Sequence, residues 1–260
     1  MDVLFDPEWA IGYKSQSQIA RVLTETWTKN HMYCPVCGWP SVEKFPNNRA
    51  AADFYCPHCR NEYEQKSKAG AFGPTIPDGA YDTFMQRISS NNNPDFFIMQ
   101  YSLVKMRVEE MYFVPKYFFV PSIVEKRKAL SQNAKRAGWV GCNIRFDRIP
   151  IQGRIPIILD GVPLNKNLVM ERVQRAEKIR TESLETRGWL LDVLQRVNQM
   201  DEYFTLEQLY SFESELAKKH PDNHNVRAKI RQQLQRLRDG GEVLFLGRGQ
   251  YKKVKQSFHL

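Results

Sequence analysis

The chain has 260 residues, room for one large domain or two modest ones at roughly 150 residues each, so a short peptide scaffold is excluded. No apolar run approaches the roughly 18 residues a bilayer span needs. The stretch Met1 to Pro7, with Asp2 and Asp6, shows no basic region followed by an apolar core, so a soluble cytoplasmic protein without membrane contact is expected. Lys and Arg outnumber Asp and Glu by 38 to 29, a formal charge of +9, which points to an anionic partner such as nucleic acid, an acidic protein or a membrane surface.

The excess charge is segregated. Nine basic residues lie between Lys116 and Arg154 against Glu125 and Asp147, and eleven between Leu216 and Leu260 against Asp222, Asp239 and Glu242. Between Thr181 and Glu215 eight acids face only Arg187 and Arg196. Two basic segments suggest two surfaces for a polyanion, with ordinary solvated faces as the alternative.

In chain order, Ser17 to Asn30 carries Ile19, Val22, Leu23, Thr26 and Trp27 at helical spacing, which predicts a helix packed by one face. A turn-rich block with four cysteines follows, from Cys34 to Lys68. Phe96 to Tyr101 and Met111 to Val114 are short, apolar and aromatic, bounded by Pro94 and Pro115, and read as buried strands. Asn165 to Thr181 reads as a charged helix or connector. Three helical patterns come next, Trp189 to Met200, Leu206 to Lys219 with Thr205 as N-cap, and Val226 to Asp239. Two alternating strands then flank a turn at Gly247 to Gln250. Three helices and a hairpin make a winged-helix pattern, and the expected domains are residues 1–180 and 181–260.

Cys34-Pro-Val-Cys37 and Cys56-Pro-His-Cys59, eighteen residues apart, have the spacing of a tetrahedral Zn2+ site. A pair of disulfides or unrelated core cysteines is the alternative, the disulfides disfavoured without a secretion signal. Four thiolates close the shell, so the Zn2+ is structural and His58 a bystander. Cys142 reads as a small buried hydrophobe.

Asp53 enters the second pair and Glu64 and Lys66 leave it. In a symmetric hairpin, residues whose numbers sum to 117 face each other, so Tyr55 meets Glu62 and Asp53 meets Glu64, with Lys66 on the Glu64 face. Two carboxylates and a lysine on one face can hold Mg2+ and orient a water for phosphodiester hydrolysis. Charged residues on a solvated hairpin would read the same way.

Asp53…Glu64-Gln-Lys66 resembles the PD-(D/E)xK nuclease signature, with Ala52 where the proline of that name would stand. Ala52-Asp-Phe-Tyr-Cys56, Glu64-x-Lys-Ser-Lys68, Asp78-Gly-Ala-Tyr81, Asn92-Asn-Pro94, Arg136-Ala-Gly-Trp139, Gly141-Cys-Asn143 and Lys229-Ile-Arg-Gln-Gln-Leu234 resemble, over almost the whole chain, the DpnI-like family of methyl-directed type II restriction endonucleases. That resemblance implies an α/β nuclease core, a mixed central sheet flanked by helices with the zinc site embedded in it, followed by a winged helix. It implies cleavage of double-stranded DNA at GATC sites carrying N6-methyladenine, and a site in which Asp53 and Glu64 bind Mg2+, Gln65 adds its backbone carbonyl, and Lys66 is catalytic.

Adenine N6 lies in the major groove, so a methyl reader needs an apolar surface there. Arg136 and Trp139 sit in the central basic segment; the resemblance assigns Trp139 to the methyl groups, with a core tryptophan as the alternative. In Val226 to Arg238, Ile230, Leu234 and Leu237 form a buried stripe and leave Arg227, Lys229, Arg231, Gln232, Gln235, Arg236 and Arg238 outside, as a recognition helix requires. Arg248, Lys252 and Lys253 make a wing for the DNA backbone, although a winged helix can instead be a protein-contact module. The resemblance has this second domain bind the methylated sequence too. A monomer is expected, since no heptad or long apolar stripe argues for a dimer. The rival readings are a non-catalytic zinc-ribbon and winged-helix regulator, and a nuclease of different modification specificity.

Overall fold

The two aromatic segments form the centre of the largest sheet. In the computed structural model, which describes residues 1–46, 52–90, 93–181 and 183–254, they are antiparallel strands in which Phe97 faces Phe113 and Met99 faces Met111. Phe96, Phe97, Ile98 and Met99 are all buried, an unbroken apolar run of the kind seen where a strand is covered on both faces. Asn92, from the Asn92-Asn-Pro94 motif, and residues 255–260 at the end of the expected second domain lie outside the described residues.

The first half runs α1 (Gln16–His31), β1 (Glu43–Lys44), β2 (Phe54–Tyr55), β3 (Glu62–Ala69), β4 (Thr75–Ala80), α2 (Tyr81–Ser89), β5 (Asp95–Ser102), β6 (Arg107–Val114), β7 (Val124–Lys126), β8 (Gly141–Arg145), β9 (Ile155–Leu159), β10 (Val162–Pro163) and α3 (Lys166–Glu177). Seven strands form a mixed sheet in the order β1-β2-β3-β5-β6-β9-β10, and β4-β8-β7 form a smaller one. Among the described residues of the large sheet only β3 and β5 pair in parallel, and a parallel pair needs a crossover. That crossover carries β4 and α2, and so brings both beside β3.

Helix α1 forms where expected, but its buried face is Leu23, Thr24, Trp27 and Thr28. Thr24 rather than Thr26 turns inward, one turn before Thr28 on the same face, and its hydroxyl donates to the Ala20 carbonyl, 2.9 Å away, which satisfies the polar group inside the fold.

The second half runs α4 (Leu184–Gln199), β11 (Tyr203–Thr205), α5 (Leu206–Tyr210), α6 (Glu213–Lys219), α7 (Val226–Asp239), β12 (Val243–Gly247) and β13 (Gln250–Lys253). Thr205 caps α5 through a reciprocal box with Gln208. The single helix expected over Leu206 to Lys219 is broken: Ser211 donates to the Gln208 carbonyl and Phe212 leaves helical dihedrals at φ −89°, ψ 4°. Strand β11 was not legible as such, being three residues around one buried Phe204. It closes the sheet β11-β13-β12 of the winged helix. In the wing turn Arg248 and Gly249 both take positive φ, 49° and 75°, the dihedral signs of a two-residue type I′ hairpin turn.

The two halves pack on each other. Gln152 exchanges amide hydrogen bonds with Asn198 and donates to Glu242. A Cβ at Gly240 would lie 2.3 Å from Ile179 Cγ2, so only glycine allows this approach.

Candidate active site, metal centre and nucleic-acid interface

The two cysteine pairs fold into matching knuckles. Cys34 donates its N–H to the Trp39 carbonyl and accepts the Gly38 N–H; Cys56 does the same with Asn61 and Arg60. Each turn closes on a residue in the left-handed region, Gly38 at φ 78° and Arg60 at 63°. The four Sγ atoms lie within 4.8 Å of one another, with Cys34–Cys59 and Cys37–Cys56 both at 3.6 Å. A tetrahedron with Zn–S bonds of about 2.3 Å has edges of about 3.8 Å, so the four sulfurs fit that ion. Backbone N–H groups of Cys37 and Cys59 and the Tyr63 hydroxyl point at the sulfurs, which steadies thiolate ligands. His58 stacks on Trp39 with ring centroids 5.0 Å apart and hydrogen-bonds Cys37 without joining the four-sulfur group. Cys142 is buried on β8, its thiol pushed up to about 12 by burial.

The hairpin has the predicted register over two pairs, Phe54 facing Tyr63 and Tyr55 facing Glu62, but the strand pairing stops there and does not include the expected Asp53–Glu64 pair. Asp53 donates its N–H to the Tyr63 carbonyl and accepts the Gln65 N–H on Oδ2 at 2.7 Å. Burial raises the Asp53 pKa; the Gln65 N–H lowers it and the nearby Glu64 charge raises it further. Glu64 is 9% exposed and lies between two cations: Lys66 Nζ sits 2.5 Å from Oε1, and Arg87 of α2 donates to Oε2. Lys66 also pairs with Asp78 of β4. Burial alone would lower the Lys66 pKa, but Glu64 and Asp78 outweigh it and hold it raised. The cluster therefore sets three carboxylates, Asp53, Glu64 and Asp78, against two cations.

Trp139 is partly exposed rather than part of the core, with the Arg136 guanidinium 4.5 Å above its ring. The ring lies over Gly141, where a Cβ would come within 2.7 Å of it. On α7, Ile230, Leu234 and Leu237 are buried as predicted, joined by Val226 and Gln233. Arg231, Gln232 and Gln235 are exposed, as is Arg248 at the wing tip. Five of the expected DNA-facing cations are already engaged: Arg227 pairs with Glu213 at 2.7 Å, Lys229 reaches Glu185 at 3.8 Å, Arg238 pairs with Asp239 at 2.9 Å, Lys252 reaches Glu202 at 3.6 Å, and Lys253 donates to the Asn198 and Met200 carbonyls. A recognition face read from one helix cannot anticipate acids presented by its neighbours.

The DpnI model, of the Dam-replacing family, matches residues 1–182, and a model of the Dam-replacing helix-turn-helix domain matches residues 185–253. The chain belongs to the Dam-replacing family. Membership supports a methyl-directed restriction endonuclease with a DNA-binding helix-turn-helix domain at its C-terminal end. Among the described residues no helix is long and apolar enough to cross a membrane.

Two members of the cluster escaped the sequence reading. Asp78 stood in one of the segments that resembled the DpnI-like family, Asp78-Gly-Ala-Tyr81, but nothing local tied it to Lys66, twelve residues earlier. Arg87 gave no signal, because an arginine near the end of an amphipathic helix is ordinary. Both reach β3 only because the crossover folds back on it.

Proposed function

We propose that the chain is a Mg2+-dependent endonuclease that hydrolyses double-stranded DNA at GATC sites carrying N6-methyladenine. The observation that carries this reading is the gathering of Asp53, Glu64 and Lys66 at the start of β3 in a cluster with one carboxylate in excess. Asp53, Glu64 and the Gln65 carbonyl would hold the ion, since hard oxygen donors suit Mg2+. In an extended strand a residue's N–H and C=O share one edge. The Gln65 N–H is on Asp53, and the pairing of β2 with β3 covers only residues 62 and 63, which leaves the carbonyl on an open edge. Bound there, Mg2+ supplies Lewis-acid polarisation of the phosphate.

The chain's own residues do the rest. Lys66 orients the attacking water for in-line approach opposite the leaving 3′ oxygen, and Arg87 fixes Glu64. The four cysteines bind Zn2+, which pins the hairpin that presents Asp53 and Glu64. Trp139, with Arg136 on its ring, offers an aromatic face to the methyl groups. Arg231, Gln232, Gln235 and Arg248 of the helix-turn-helix domain read and grip DNA a second time. On this reading the catalytic domain is residues 1–180 and the winged helix 181–260, and the protein acts as a cytoplasmic monomer.

The test is to incubate the protein with Mg2+ and one plasmid in two preparations, with and without N6-methyladenine at GATC. Fragments from the methylated plasmid alone, lost with EDTA, are expected. Cutting of both would remove the methyl requirement, and binding without cutting would favour the regulator.

A further inference from the structure

We propose that Asp78 is a positioning residue for Lys66, holding its ammonium when Glu64 is engaged elsewhere. The inference rests on the nuclease reading of the site.

Lys66 has two anionic partners among the described residues, Glu64 on its own strand and Asp78 on β4. Under the reading above, Glu64 turns toward a cation, and an oxygen committed there no longer anchors an ammonium. Asp78 has no such competing duty. Its side chain is 4% exposed, and its orientation is set locally: Oδ1 accepts the N–H of Gly79 at 2.6 Å as well as the Lys66 ammonium. Strand β4 is fixed in turn, with Asp78 opposite Cys142 on β8 and the Cys142 thiol within 3.6 Å of the Gly79 carbonyl. The anchor therefore belongs to the small sheet while the lysine belongs to the large one, so Asp78 keeps its place whatever happens on β3.

The energetics argue for this role over a structural one. Oδ2 of Asp78 is buried and has no hydrogen-bond partner among the described residues, so a desolvated carboxylate is kept there with only Oδ1 engaged. Such a group is a poor means of stabilising a fold, because desolvation offsets much of the ion-pair attraction. Stability that is forgone at one position is commonly tied to function. Strand β8 begins two residues after Trp139, so the segment proposed to face the methyl groups leads directly into the small sheet that holds β4.

Cleavage of methylated plasmid by the full-length wild type, Asp78→Asn and Asp78→Glu tests this, with DNA affinity measured in Ca2+ and melting temperature followed alongside. The expected result for Asp78→Asn is kcat lower by about 10- to 100-fold, the scale of a misplaced reacting group. KM and DNA affinity should stay within about twofold and the melting temperature within about 3 °C. Asp78→Glu, which keeps the charge, should recover part of kcat. In a Lys66→Ala background, single-turnover rates should fall less than about twofold further on adding Asp78→Asn, since a residue acting through the lysine has nothing left to position. Full kcat in Asp78→Asn, equal effects in both backgrounds, or a parallel loss of kcat, affinity and melting temperature would overturn the inference. Full cleavage by Asp53→Asn and Lys66→Ala, or none by the wild type, would instead overturn the nuclease reading of the site.

Discussion

Arg175 of α3 donates through Nε to Glu242 at 2.9 Å, joining the nuclease half of the chain to the loop that enters β12. The Glu242 side chain is 1% exposed, and Gln152 and the Gly241 carbonyl complete the contact. Removing one partner of a buried pair leaves an uncompensated charge. Arg175→Met should therefore cost about 3 kcal/mol in urea unfolding, and Arg175→Met with Glu242→Gln should recover most of it. Equal losses in the single and double variants would show that the pair is not what joins the halves.

Removing the metal from the cysteine knuckles should unfold the hairpin that carries Asp53 and Glu64. Structural Zn2+ binding contributes directly to folding. We expect about one Zn2+ per chain by elemental analysis, lost in Cys34→Ser, together with increased protease cleavage between residues 34 and 66. A protein free of Zn2+ with an unchanged digestion pattern would contradict the assignment.

Asp95 should make stability fall as pH rises. It is fully buried, and burial lifts its pKa to about 6 against the pull of the Lys116 N–H and Asn61. The unfolded carboxyl titrates near 3.9, so between about pH 4 and pH 6 the folded state binds more protons, and stability declines with rising pH through that window. Wild type minus Asp95→Asn should gain about 2 kcal/mol on going from pH 7 to pH 4.5. The difference between the two proteins is the readout because other titrations cancel. A flat difference would place the Asp95 pKa near its unfolded value.

The helix-turn-helix domain should show an uneven alanine scan. Arg231→Ala is expected to weaken DNA binding about tenfold, the scale of one lost base or phosphate contact. Arg227→Ala should change it less than about threefold, because Arg227 is already paired with Glu213. The reverse order in a fluorescence anisotropy titration would mean that another face of α7 meets DNA.

Much of this protein was legible in the sequence because its signals are local. C-x2-C pairs need only a tight turn to bring two sulfurs together, and the hairpin between Tyr55 and Glu62 follows from the short span between them. The stripe of Ile230, Leu234 and Leu237 follows from the helical period alone. Thr205 could be named as a cap because a cap acts on its own helix. The short strand around Phe204 and the break at Ser211 were not legible, since each is decided by a few hydrogen bonds that leave no periodicity.

The sequence by itself determined the cluster of four sulfurs, the strand that carries Glu64 and Lys66, and the basic helix at the C-terminal end. Tertiary structure alone decided what surrounds them. The parallel crossover between β3 and β5 delivers Asp78 and Arg87 to the carboxylate cluster, and the packing of α4 and α6 beside α7 places Glu185 and Glu213 against Lys229 and Arg227. The reason is range. A turn or a helix face is set by neighbours within a few residues, whereas the partners of a buried charge are set by whichever distant element the topology lays across it.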